Sequence, residues 1–122
     1  MTFARRVFTI AGIYGLLVVT PLYFLEDRIG RDYPPAVTHR EYYYGFLGVT
    51  LAWQVAFLVI ARDPVRYRLL MIPAIIEKVT YVIALLVLFL NGRIPGVTLV
   101  PGAGDLVLGS LFVMSWLKTR PA

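Results

Sequence analysis

The chain has no cysteine and a single histidine. Without thiols it has no disulfide, no thiolate metal site and no cysteine nucleophile. One histidine in a monomer supplies neither bis-histidine haem ligation nor a multi-histidine zinc site. No cofactor and no metal are therefore expected. Charge is scarce as well: 16% of the 122 residues are charged, and only Lys78 and Lys118 are lysines. A soluble domain this short has to coat its core with polar surface, and these residues are too few to do so. No phosphate-binding glycine loop or activated nucleophile is legible. The net charge of +5 does not point to nucleic acid, because the basic residues flank apolar runs and form no stripe interleaved with aromatics.

What the chain has is apolar length. Hydrophobic residues make up 59% of it, with a mean hydropathy of +0.75. Lipid-facing surface is itself apolar, so this composition fits a bilayer. Four runs are long enough to cross one: Val7–Leu25, Tyr42–Ala61, Leu69–Leu90 and the shorter Pro101–Leu117. The expected fold is all-α, a polytopic membrane four-helix bundle forming a single domain over residues 1–122. Arg5 and Arg6 precede the first run in the manner of a signal peptide, but no small-x-small cleavage site follows, which predicts a retained signal-anchor helix. Pro21 is expected to bend its last turn.

Glu26 to Glu41 reads as a solvated loop of mixed charge, stiffened by Pro34-Pro35, with His39 as a solvated residue. A short amphipathic or 3₁₀ piece fits within it. Tyr42, Tyr43, Tyr44 and Phe46 open the second run as an aromatic belt. Asp63-Pro64 signals a helix restart with proline at the first helical position. Asn91-Gly92 closes the third run as a C-cap.

Basic residues set the orientation. The amino end, the loop after the second run and the carboxyl tail hold Arg5, Arg6, Arg62, Arg66, Arg68, Lys118 and Arg120, against Arg28, Arg31, Arg40 and Arg93 in the other two loops. Both termini are expected in the cytoplasm of a bacterium, with the chain in its inner membrane. In lipid, helices associate where backbones approach closely. Gly48, Ala52 and Ala56 repeat every four residues, with Gly45 one turn earlier, and predict a contact face for another helix, a second copy or a membrane partner. Ala11 with Gly15, and Gly104, Gly109 and Ser110, mark further contact faces.

Glu77 and Lys78 interrupt the third run, and an ionisable residue there is by default a candidate site. Glu77 is roughly 12 Å into its span and Asp105 roughly 18 Å from the same end of the antiparallel fourth span, a difference that two side chains or one water can bridge. Thr80 and Tyr81 share a face with Glu77. Trp53 and Gln54 come from the second span. The candidate ligand-binding set is thus Trp53, Gln54, Glu77, Lys78, Tyr81 and Asp105. Within it Lys78 is expected to snorkel towards the cytoplasmic headgroups, since adjacent helical residues point about 100° apart.

The stretch from Tyr44 to Pro95 carries Gly45-Phe46-Leu47-Gly48, Ala52-Trp53-Gln54, Ala61-Arg62-Asp63-Pro64-Val65-Arg66-Tyr67-Arg68 and Pro73-Ala74-Ile75-Ile76-Glu77-Lys78. It resembles a group of small uncharacterised bacterial four-helix integral membrane proteins. The layout is also similar to that of DoxX-like proteins and of the sterol isomerase and sigma-2 type bundle. The resemblance implies a helical membrane fold and brings no site residue with it.

These readings predict binding or movement of a small amphipathic, lipid-like molecule in a polar-lined core, with membrane lipids as surroundings. Two alternatives stay open. One is a non-catalytic accessory subunit docked through the second span. The other is a lipid-acting enzyme that uses Glu77 and Asp105 as an acid–base pair.

Overall fold

The computed structural model describes residues 2–32 and 38–120. Among them the fold is all-α. It contains four long helices, α1 (Thr2–Leu22), α3 (Arg40–Arg62), α4 (Met71–Leu90) and α5 (Val100–Lys118), and a short α2 (Glu26–Asp32). With the 3₁₀ turns Arg68–Leu70 and Gly96–Leu99 joined to α4 and α5, all four are long and apolar enough to cross a membrane. The Gly96–Leu99 turn lengthens the fourth segment, which looks short in sequence, to 23 residues.

Helix ends follow local chemistry. Pro21 has no N–H to give the Leu17 carbonyl. The chain tightens there into i→i+3 bonds, Tyr23 N–H to Thr20 O and Phe24 N–H to Pro21 O, and α1 stops at Leu22 rather than Leu25. At the C-terminus of α4, Gly92 takes φ +69°. Its N–H donates to Phe89 O and that of Arg93 to Leu88 O, the paired bonds of a Schellman cap. Pro73 sits in the first turn of α4, where its missing donor costs nothing. The restart expected at Pro64 does not occur there. Asp63 Oδ1 accepts the Arg66 N–H at 3.2 Å, residues 64–67 form turns, and helix resumes only at Arg68.

The loop after α1 contains α2, with Glu26 and Asp27 at its positive N-terminal end and Arg31 at its other end. Glu26 clips this helix to α3: it meets Arg40 Nε at 2.7 Å and accepts the Tyr44 hydroxyl at 2.9 Å. The Tyr43 hydroxyl donates to Leu22 O. His39 is exposed and lies 3.4 Å from Glu41 Oε1. The Pro34-Pro35 pair lies outside the described residues.

α1 packs most extensively on α3, and α4 on α5, and α1 joins the two pairs through α5. In the first pair, small residues of α1 make the approach possible. A β-carbon on Gly12 would stand 2.6 Å from the Leu58 side chain and 2.9 Å from Gln54 O, and one on Gly15 would collide with the Gln54 side chain. Ala11 is fully buried beside them. The stripe on α3 behaves differently. Gly48 and Ala52 are exposed, and a β-carbon on Gly48 would meet only the Tyr23 hydroxyl, at 3.8 Å. The contact face expected there is not used within the chain, because Leu47, Gln54 and Phe57 turn the opposite side of α3 inward.

The core gathers towards one end of the bundle. Phe8 of α1 stacks on Phe112 of α5 at 4.3 Å between ring centres, and Phe57 of α3 meets Phe112 edge-on at 5.0 Å. Met71 and Ala74 of α4 complete this cluster. Lys118 Nζ lies 4.4 Å above the Phe3 ring, so the start of α1 and the end of α5 meet at the same end. There Arg68 donates from Nε and Nη2 to Trp116 O at 3.2 and 2.9 Å, with its guanidinium 3.4 Å above the Trp116 ring centre.

Candidate functional site

The polar centre lies between α4 and α5, above the phenylalanine cluster. Its middle is Lys78, only 5% exposed. The Lys78 ammonium reaches Asp105 Oδ1 at 3.3 Å and Glu77 Oε1 at 3.5 Å, and it lies 5.4 Å from the centre of the Phe57 ring. Snorkelling to the headgroups, expected for Lys78, does not take place. An ammonium leaves the interior only when no acceptor is nearer than the interface, and Asp105 on the facing helix supplies one.

Backbone geometry makes this possible. A β-carbon on Gly109 would stand 3.1 Å from Lys78 Cβ, so the absent side chain lets α4 and α5 close at that level. Asp105 lies four residues earlier, on the same face of α5, and therefore stands one turn along from the contact with its carboxylate over the ammonium. Although 77 and 78 leave the helix in different directions, the Glu77 side chain is long enough for Oε1 to return to Nζ.

Both ionic contacts are longer than the ~2.7–2.9 Å of a tight ammonium–carboxylate bond. Each occupies one oxygen of its carboxylate. The other oxygen of Glu77, Oε2, is buried with no hydrogen-bond partner among the described residues. One ammonium against two carboxylates leaves a formal charge of −1 at the centre.

Alongside runs a groove of about 180 Å³ between α4 and α5. Its walls are Val79, Val82, Ile83, Leu106 and Val113, and Lys78, Asp105, Gly109 and Ser110 complete it. The Ser110 hydroxyl donates to Leu106 O at 2.8 Å. The groove therefore has apolar walls and a charged end, and Val79, Ile83 and Leu106 open it to the surroundings of the bundle.

The six residues singled out in the sequence are not gathered into one chamber. Glu77, Lys78 and Asp105 meet. Trp53 stands behind them against Phe57, 6.2 Å between ring centres. Gln54 is buried in the α1–α3 interface beside Gly15, with its Nε2 donating to Thr50 O at 2.8 Å. Tyr81 is 38% exposed and makes no hydrogen bond to the three charged groups. The groove walls were not singled out. Their signal was available in the spacing of Asp105 and Gly109, which sets a charge and a close-approach position on one face of α5.

Such a centre is able to bind a polar head while apolar walls take a tail. The two carboxylates share one ammonium and do not flank an open reaction space. Among the described residues no group of three or more histidine, aspartate or glutamate side chains is arranged to hold a metal ion. Comparison with protein families, curated proteins and solved structures finds no match for the chain.

Proposed function

We propose that the chain is a multi-pass protein of the bacterial inner membrane, both termini cytoplasmic, that binds or moves a small amphipathic, lipid-like molecule. The observation that carries this reading is the pairing of a buried, unequal charge cluster with an apolar-walled groove between α4 and α5. A charged group in hydrocarbon is costly and is kept where it serves a path or a ligand. The groove offers a tail about the surroundings of an aliphatic chain, and the cluster offers its head a charge. The basic residues Arg62, Arg66, Arg68, Lys118 and Arg120, grouped at the end where the start of α1 meets the end of α5, support the orientation.

An alkyl amphiphile with a photoactivatable diazirine in its tail tests the binding site. After illumination in vesicles and peptide mapping, adducts are expected on Val79–Ile83 and Leu106–Val113. Labelling spread evenly over every apolar helix face would defeat the reading. A second reading, an accessory subunit, is favoured by the exposed Gly45, Gly48 and Ala52 face of α3, which no element among the described residues covers. In lipid such a face suits close approach of another helix.

A further inference from the structure

The charge count at the centre goes beyond the binding of an amphiphile in general. Lys78 brings one positive charge, and Glu77 and Asp105 bring two negative ones. In a low-dielectric setting an uncompensated charge is strongly disfavoured. The centre therefore calls for one further positive charge, and two species can supply it: a proton or a cationic head.

We propose that the α4–α5 groove selects cationic amphiphiles, an apolar tail bearing an ammonium head, and that the head enters in exchange for one proton. This rests on the binding reading above. In the empty site one proton held on a carboxyl oxygen of the cluster leaves the centre neutral. When the head docks beside Asp105, that O–H bond breaks and the proton leaves to water. The freed electron pair on the carboxylate then faces the ammonium. The centre plus ligand is neutral again, so the exchange conserves charge as well as atoms.

Three features of the structure converge on this. Asp105 belongs both to the charge cluster and to the groove, so the head reaches a carboxylate without displacing Lys78. Glu77 Oε2 is buried and has no donor among the described residues, as expected of an oxygen that holds a proton of its own or awaits charge compensation. The walls Val79, Val82, Ile83, Leu106 and Val113 are aliphatic and offer a tail no polar partner. An anionic head is disfavoured by the same count, because Lys78 is already shared and a third negative charge would go unpaired. The further titratable groups nearby are Tyr81, one turn along α4 from Glu77 and without a hydrogen bond to the cluster, and Tyr14 on α1, whose hydroxyl lies 3.9 Å from a β-carbon built on Gly104. From α3 the centre meets the Phe57 ring. None of these carries a positive charge.

Titration calorimetry on the full chain in lipid nanodiscs, with empty nanodiscs subtracted, tests the exchange. The probes are octylammonium, octanol and octanoate. Each is run in two buffers of different ionisation enthalpy, so that proton release is counted. Octylammonium is expected to release up to one proton per molecule bound. Its affinity should rise about tenfold per pH unit across the range where the site gives up its proton. Octanol should bind at least tenfold more weakly at the alkaline end and release none. The double variant Glu77→Gln, Asp105→Asn should lose both the proton release and the preference for the cation. Octylammonium binding with no proton release, or a preference for octanoate, would overturn the exchange and leave an amphiphile site standing. The exposed wall variants Val79→Trp and Leu106→Trp separate the two levels. If all three probes bind these variants as they bind the wild type, the groove itself is not the site.

Discussion

Lys78 Nζ lies 3.3 Å from Asp105 Oδ1 across the α4–α5 interface, and it reaches a second carboxylate, Glu77, at 3.5 Å. The pair holds the two helices at the level where Gly109 lets them close. It also fixes the place of Glu77 Oε2, which is buried with no hydrogen-bond partner among the described residues.

Lys78→Met should therefore be more damaging than its change in volume suggests. It leaves two half-buried carboxylates with no cation, and breaking a fully buried ion pair from one side costs about 3–5 kcal/mol, which is the upper end of the loss expected here. The triple variant Lys78→Met, Glu77→Gln, Asp105→Asn removes all three charges and should recover most of that loss. Thermal unfolding in detergent micelles reads both. A single variant as stable as the wild type, or a triple variant worse than the single, contradicts a coupled cluster.

The two glycine faces should respond in opposite ways to bulk. Gly12→Leu forces α1 away from Leu58 and from the Gln54 backbone, and overpacking of this kind costs about 1–3 kcal/mol. Gly48→Leu meets open surface and should leave the stability of the isolated chain within about 0.5 kcal/mol of wild type. If Gly48→Leu alters the assembly state while the monomer stays intact, the exposed face of α3 is a contact with something outside the chain. Equal destabilisation by the two variants would argue that α3 is turned the other way.

Much of this architecture is legible in the residues, and the exceptions share a cause. The four long helices are readable because lipid demands apolar surface on every span. The Schellman end of α4 is readable because Gly92 alone accepts the positive φ without strain. The direction taken by Lys78 is not, since it depends on an acceptor 27 positions away, on another helix. The same limit applies to Gln54, whose place is decided by the bare backbone of Gly15 opposite. It applies also to the Gly48 and Ala52 face, because small residues permit a contact without requiring one. Depth along antiparallel helices sets Glu77 and Asp105 near one level, and Lys78 contacts both. Depth carries no information about rotation, and rotation is what separates Tyr81 and Gln54 from them.

Orientation is open to direct measurement, because the chain has no native cysteine to remove. Single cysteines replacing the exposed Arg5 and Arg62 should react with a membrane-impermeant maleimide only after cells are permeabilised. Cysteines replacing the exposed Arg28 and Asn91 should react in intact cells. The reverse pattern would place both termini outside, and labelling of all four positions in intact cells would indicate insertion in both orientations.

Arg68→Lys should weaken the end of the bundle where the start of α1 meets the end of α5, although it keeps the charge. Trp116 is among the last four residues of α5, whose carbonyls have no partner within the helix. Its oxygen takes two N–H donors from Arg68, and the same guanidinium lies flat over its ring. This places a cation at a helix C-terminus, where the dipole favours it. Lysine offers a compact point charge on a flexible stem and cannot present a planar fork to the carbonyl and a flat face to the indole together. A loss of about 1 kcal/mol is expected from the stacking contribution and one weakened hydrogen bond. In a Trp53→Phe background, where Trp116 is the one remaining indole, its emission should shift as the guanidinium leaves the ring. An unchanged spectrum together with unchanged thermal stability would mean that Arg68 is merely solvated at this end and contributes nothing to holding α4 and α5 together.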